Sequence, residues 1–312
     1  MIIKHADDRN RDIDELTALL KRHDLKPWQK EKIQTELKKR YSGKKGEEEA
    51  EYSINFHFGK NSKNWMVIHD LHIEYEGETV QIDHLILNRL MEIYICESKN
   101  FNESITINEH GEFSYYHNGK ACGIASPIEQ NERHRLFLQR MFEDPEFELP
   151  TRLGFRIKPK IYSLILIGNG ANIKRPSNGK AVKHLDRIIK NDQIRTKINK
   201  DADEINVTDT LAIAKVVSRE TLREFAEYLA SLHLPPERNW KAELGISDSS
   251  VAPQTPKPNI TPQAAISSTQ PRRLFCADCQ KTVTPKVAEF CWNNKTRFQG
   301  KVYCFNCQKN HP

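Results

Sequence analysis

The chain has 312 residues, 38% of them hydrophobic and 29% charged, with seven cysteines and a net charge of +6. That length fits one large domain or two ordinary ones, and no run of about 18 apolar residues occurs that would build a transmembrane helix. Met1 to Arg11 lack the apolar core of a secretory leader, so the expected address is cytoplasmic, and an odd cysteine count argues against a disulfide framework.

Residues 10–40 carry a helical period (Ile13, Leu16, Leu19, Leu20, then Trp28, Ile33, Leu37), interrupted by Pro27. This predicts two helices with charged outer faces. Gly43 and Gly46 read as a break, and residues 47–56 as a new helix with Ala50, Ile54 and Phe58 on one side. Trp65 to Tyr75, Thr79 to Leu87 and Met91 to Ser98 are strand-like, rich in β-branched and aromatic residues. Shorter strands are expected at Ile105–Ile107 and Glu112–Tyr116. Pro127 then opens a helix through about Phe142, and Lys160 to Gly168 has the composition of a fully buried strand. Two further helices are expected within 205–234. Residues 246–271 are rich in Pro, Ser, Thr and Gln; such a segment buries too little apolar surface to offset its ordering entropy and reads as a flexible linker.

Charge is unevenly distributed. From Arg272 to Pro312 eight Lys/Arg face only Asp278 and Glu289, and Lys21 to Lys45 holds ten basic residues against three acids. Two basic regions beside a neutral body fit a polyanionic partner, because Lys/Arg contacts with phosphates release condensed counterions. They fit solvated surfaces equally well.

Three segments carry the chemistry: Gly46-Glu47-Glu48-Glu49-Ala50-Glu51 at a helix start, Gln81-Ile82-Asp83-His84 in a strand, and Cys96-Glu97-Ser98-Lys99 at the end of the next. Side chains alternate along a strand, so Glu97 and Lys99 point the same way, and Asp83 can sit beside Glu97 if the strands are neighbours. Carboxylates hold hard cations such as Mg²⁺, and a nearby lysine can serve the attacking water or the phosphate. His84, on the opposite face of a regular strand, reads as a structural hydrogen-bonder. Cys96 reads as a buried thiol, and Glu129 and His134 as surface or supporting groups.

In order and spacing these segments, followed by Ser126-Pro127-Ile128-Glu129-Gln130, resemble the nuclease-related domain over roughly residues 43–170. That family is a branch of the restriction-endonuclease-like superfamily with an Asp…Glu-x-Lys motif. The resemblance implies an α/β fold, a mixed central sheet flanked by helices. It places the family's Gly-Glu on Gly46-Glu47, its strand Asp on Asp83, its Glu-x-Lys on Glu97 and Lys99, and its helix glutamine on Gln130. Glu47, Asp83 and Glu97 are then the expected ligands for Mg or Mn; the choice among Glu47, Glu48 and Glu51 stays open, with Glu51, one turn after Glu47, as the main alternative. The implied activity is metal-dependent endonucleolytic hydrolysis of DNA. The rival readings are a non-catalytic nucleic-acid or partner-binding protein on a vestigial nuclease fold, and an RNA nuclease in defence.

Cys276-x2-Cys279 and Cys304-x2-Cys307 are 24 residues apart. Two such knuckles offer the four thiolates that structural zinc prefers, so a C-terminal zinc ribbon is expected. Cys291 is expected to be buried beside Trp292, and His311 is a poor substitute ligand. The ribbon's basic residues (Lys281, Lys286, Lys295, Arg297, Lys301) alternate with Phe290, Trp292, Phe298, Tyr303 and Phe305, a pattern for binding nucleic acid or for building a small core. The expected organisation is a helical region (1–42), the nuclease-related core with a helical extension (43–240), the linker (241–271) and the ribbon (272–312).

Overall fold

A computed structural model describes all residues except 61, 102, 118, 153, 179–181, 207–215, 237, 247–273, 280, 284, 309, 310 and 312. The expected linker therefore lies outside the described residues from 247 onward. Contacts divide the chain into two units, Met1–Ser249 and Ser250–Pro312.

The first unit is a mixed six-stranded sheet between helices. Its strands are β1 (Ile2–Lys4), β2 (Trp65–Tyr75), β3 (Glu78–Asn88), β4 (Glu92–Lys99), β10 (Lys160–Ile167) and β12 (Ile188–Lys190), in the order β1-β2-β3-β4-β10-β12. β2, β3 and β4 form an antiparallel meander. β1, β10 and β12 add parallel strands to its edges, which makes the sheet mixed, as the resemblance implied. β1 gave no signal in the sequence, because three residues are too few to show a period.

One face packs α3 (Pro127–Glu143) and α5 (Arg219–Ser231) over Met66, Ile68, Leu85, Leu87, Ile93 and Ile95. The other packs α2 (Pro27–Ile54) and α4 (Ile194–Asn206) over Val67, Ile86, Tyr94, Cys96, Leu164 and Leu166. The period-2 alternation of the strands thus feeds two separate cores. A second sheet, ordered β11-β5-β6-β7 (Asn172–Lys174, Ser104–Ile107, Phe113–His117, Lys120–Ile124), closes a third apolar cluster over Ile165 and Ile167, and β8 (Thr151–Arg152) pairs with β9 (Phe155–Arg156).

The expected helix break at Gly43 and Gly46 does not occur. α2 runs unbroken past both glycines and continues as a π turn, Asn55–Gly59. Gly46 is buried, and a Cβ there would lie 2.7 Å from Cβ of Asn100. The glycine lets the helix approach the end of β4 rather than ending it.

α1 (Asn10–Leu20), the start of α2 and the short α6 (Trp240–Glu243) build a small core of their own. It contains Leu16, Leu19, Leu25, Ile33, Trp240, Leu244 and Ile246. The second unit pairs β13 (Leu274–Phe275) with β14 (Thr282–Val283), followed by short helices α7 (Pro285–Asn293), α8 (Lys295–Phe298) and α9 (Phe305–Gln308). No helix among the described residues is long and apolar enough to cross a membrane.

Candidate active site and metal centre

The fork between β3 and β4 positions the acids. Their pairing ends at His84–Cys96, and Asp83 lies just past that pair. There the Ser98 amide donates to Oδ2 of Asp83 at 2.8 Å. Regular alternation fails at this point. Leu85 and Ile82 pack into the same core although three residues apart, as do Ile68 and Leu71 on β2. The β2 irregularity is at Asp70, whose φ of 50° is left-handed, a conformation that a non-glycine residue adopts at a cost.

Glu97 and Lys99 share a face, as period 2 requires. Oε1 of Glu97 accepts from Nζ of Lys99 and from Nε2 of Gln130, both at 2.7 Å. Lys99 also donates to Oε1 of Gln130 at 3.1 Å. Gln130 is delivered by α3, which Ser126 caps by accepting from the Glu129 amide. Asn131, fully buried, clamps that helix to the sheet by donating to the carbonyls of Ile95 and Leu164. The structure therefore brings Asp83, Glu97, Lys99 and Gln130 together. Lys99 keeps 29% of its side chain exposed, so the group opens to solvent on one side.

Oε2 of Glu97 is buried and has no hydrogen-bond partner. Nδ1 of His134 lies 3.8 Å from it, and burial, opposed by Glu97, lowers the pKa of that imidazole. His134 is thus a buried neighbour of Glu97, while Glu129 is exposed. Burial and then the charges of Glu97 and Glu47 push the Asp83 carboxyl well above its ordinary range. Burial also raises Glu47, against Arg9, with Asp70 and Glu97 adding to the rise. An orphaned buried carboxylate oxygen beside mutually repelling acids is an oxygen-donor set that fits a hard divalent cation.

Glu47 stands at the edge of this group. Nε of Arg9 donates to its Oε2 at 2.9 Å, and Nη1 of Arg9 donates to Oε2 of Glu51 at 2.8 Å. Among the described residues the four-cysteine set is the one group of three or more His, Cys, Asp or Glu gathered closely enough to hold a metal ion, and Glu47, Asp83 and Glu97 are not gathered in that way. Arg9 and Asp70 had no signal in the sequence, since one is a lone arginine and the other an acid in an ordinary strand.

His84 points away from the acids into a buried chain. Its Nδ1 meets Nδ1 of His69 at 2.8 Å, its Nε2 meets Oγ of Ser98 at 2.9 Å, and Nε2 of His69 meets Oδ1 of Asn55 at 2.9 Å. With Asn55 as acceptor, each neutral ring donates from one nitrogen and accepts at the other, so Ser98 donates its hydroxyl to His84. Cys96 is buried, and burial pushes its thiol far up.

Residues 42–167 match the family model described as the nuclease-related domain. Over that stretch the chain is similar to the nuclease-related domain. No curated protein and no solved structure matches it. The match spans the end of α2, the β2–β4 meander, α3 and β10, and so contains all five expected site residues.

In the second unit the sulfurs of Cys276, Cys279, Cys304 and Cys307 lie within 4.8 Å of one another, a set that could hold zinc. One knuckle sits between β13 and β14, the other at the start of α9. Burial opposes ionisation of Cys276, yet the backbone amides of Cys279, Cys304 and Asp278 bring its pKa down to about 6. Cys291 is buried outside this set, its sulfur 3.4 Å from both the amide of Tyr303 and Nε2 of Gln308. Trp292 beside it is exposed rather than packed, as are Phe275 and Phe290, whereas Phe298 and Tyr303 form the small core. His311 pairs with Asp278 at 2.8 Å.

Proposed function

We propose that this chain is an endonuclease that hydrolyses phosphodiester bonds in DNA with Mg²⁺ or Mn²⁺, the zinc ribbon helping to hold nucleic acid. The observation that carries the reading is Glu97. One oxygen is shared by Lys99 and Gln130, and the other is buried without a partner next to Asp83.

Asp83 and Glu97 would hold the ion, with Glu47 joining them when it exchanges Arg9 for the metal. Such an ion polarises the phosphate and lowers the pKa of bound water. Lys99, held by Glu97 and Gln130, presents its ammonium to the attacking water or to charge building on the phosphate. Gln130 keeps the lysine and the glutamate in register, and the Ser98 amide fixes Asp83. In the ribbon, exposed Phe275, Phe290 and Trp292 offer faces on which unpaired bases stack.

The test is plasmid cleavage with Mg²⁺ or Mn²⁺, alongside single- and double-stranded DNA and RNA. Wild type cuts DNA, and Asp83→Ala and Lys99→Ala each abolish cutting. Cleavage that survives both substitutions belongs to another site or a contaminant. The ion pair between Arg9 and Glu47 favours one rival, a nucleic-acid-binding protein that no longer cuts. Binding without cleavage under every metal would establish it.

A further inference from the structure

A cleft of about 540 Å³ opens beside Glu47. Its walls come from residues 7–12, 36–47, 70–81 and 233–238, largely outside the matched segment. The small core around Trp240 supports it. Six acids line it, and each is already engaged. Asp7 takes Lys4 and His233, Asp70 takes His72 and Gln81, and Asp8 accepts from Asn10. Asp12 takes the Trp240 indole and Arg40, Glu36 takes Lys39, and Glu47 takes Arg9.

Six Lys/Arg line it as well, so the formal charges balance, but two of these cations, Arg11 and Arg238, are paired with none of the acids. Arg11 is exposed and its side chain makes no ion pair or hydrogen bond among the described residues. Arg238 only lies over the Trp240 ring, 5.2 Å from its centroid, with Arg40 at 5.3 Å from the same ring. Nη2 of Arg9 and Nε of Arg40 are buried donors without a partner. Two exposed guanidinium groups free of acids, in one groove ending at a carboxylate of the candidate site, fit a ligand that carries anionic oxygens. Guanidinium forks match phosphate oxygens in charge and shape.

We infer that this cleft holds the phosphate backbone of a DNA strand and leads it to the acids at the β3–β4 fork. This rests on the nuclease reading and adds to it a binding track built by α1, the first half of α2 and the segment before α6. Arg11 and Arg238 contact phosphates, and the Trp240 ring holds Arg238 in place.

The experiment is fluorescence anisotropy of the full-length protein without added Mg²⁺ or Mn²⁺. It uses a labelled single-stranded DNA and an RNA of the same sequence, across a salt series. Arg11→Ala/Arg238→Ala binds DNA at least about tenfold more weakly, and its log affinity against log salt flattens by about 1.4, two phosphate contacts on a single strand. Arg11→Lys/Arg238→Lys keeps the wild-type slope, which a folding defect would not spare. Arg11→Ala alone, at a side chain with no contacts, gives half the change in slope. Wild-type affinity and slope in the double alanine variant overturn the inference, as does binding of RNA with no binding of DNA. Failure of the two readings is distinguishable. A protein that binds through these arginines but never cuts sinks catalysis alone, and one that cuts with unchanged binding in the double variant sinks the track alone.

Discussion

The backbone amide of Ser98 donates to the carboxylate of Asp83 at 2.8 Å, where β3 and β4 part. One strand thereby supplies the acid and the other the donor that aims it. Asp83→Asn keeps an oxygen for that amide and removes a charge that Glu97 and Glu47 repel. Without divalent metal its melting temperature equals or exceeds the wild-type value, while cleavage falls by about 10²-fold or more, the scale of losing one electrostatic catalytic group. Asp83→Ala loses the acceptor as well and melts lower. Calorimetry paired with plasmid cleavage separates the two effects, and an active Asp83→Asn would remove Asp83 from the chemistry.

Gly46→Ala tests the close approach of α2 to β4. On propensity alone, alanine inside a helix is better than glycine by about 1 kcal/mol. Here the added Cβ meets Cβ of Asn100 at 2.7 Å, an overpacking that costs about 1–3 kcal/mol. Denaturant unfolding should therefore show net destabilisation, and a stabilised variant would contradict the contact.

His69 makes stability depend on pH. Burial is the largest cause of its lowered pKa, about 4 against an ordinary 6.5; Glu51 opposes, and Arg9, His5 and Lys4 add to the fall. The folded pKa lies below the unfolded one, so the contribution is full above about 6.5 and is lost as pH falls towards 4. Thermal melts between pH 7 and 4 should fall less steeply for His69→Gln than for wild type. Parallel profiles would show that His69 is not the source.

Zinc should be held by four sulfurs and not by Cys291. Cys304→Ser loses the metal and unfolds the second unit, because so small a core depends on metal to fold. Cys291→Ser keeps one zinc per chain and weakens the unit by roughly 1 kcal/mol, on the scale of a lost buried interaction. Metal analysis with a chelator titration followed by Trp292 emission reads both. Loss of zinc in Cys291→Ser would place that sulfur in the site.

Asn131→Ala removes the donor shared by the carbonyls of Ile95 and Leu164. Leaving such buried acceptors unpaired costs about 1–3 kcal/mol each. The helix that carries Gln130 should loosen, with faster amide exchange at 130–134 than in wild type. Unchanged exchange would show that α3 is held by its apolar contacts alone.

The sequence by itself determined the strands of the meander, the buried run at Lys160, the capped helix at Pro127 and the two cysteine knuckles. Each is a local signal, a period, a cap or a spacing, and local signals survive whatever the rest of the chain does. It also put Glu97 and Lys99 on one face, since two residues along a strand share a side. Only the tertiary structure decided that Gly46 continues a helix, because the reason is a neighbour 54 residues away. The same holds for Arg9 gripping Glu47, for the kink at Asp70 that upsets the alternation around Asp83, and for His134 lying against Glu97. All of these depend on contacts between distant segments, and neither residue type nor spacing along the chain encodes which distant partner a side chain will meet.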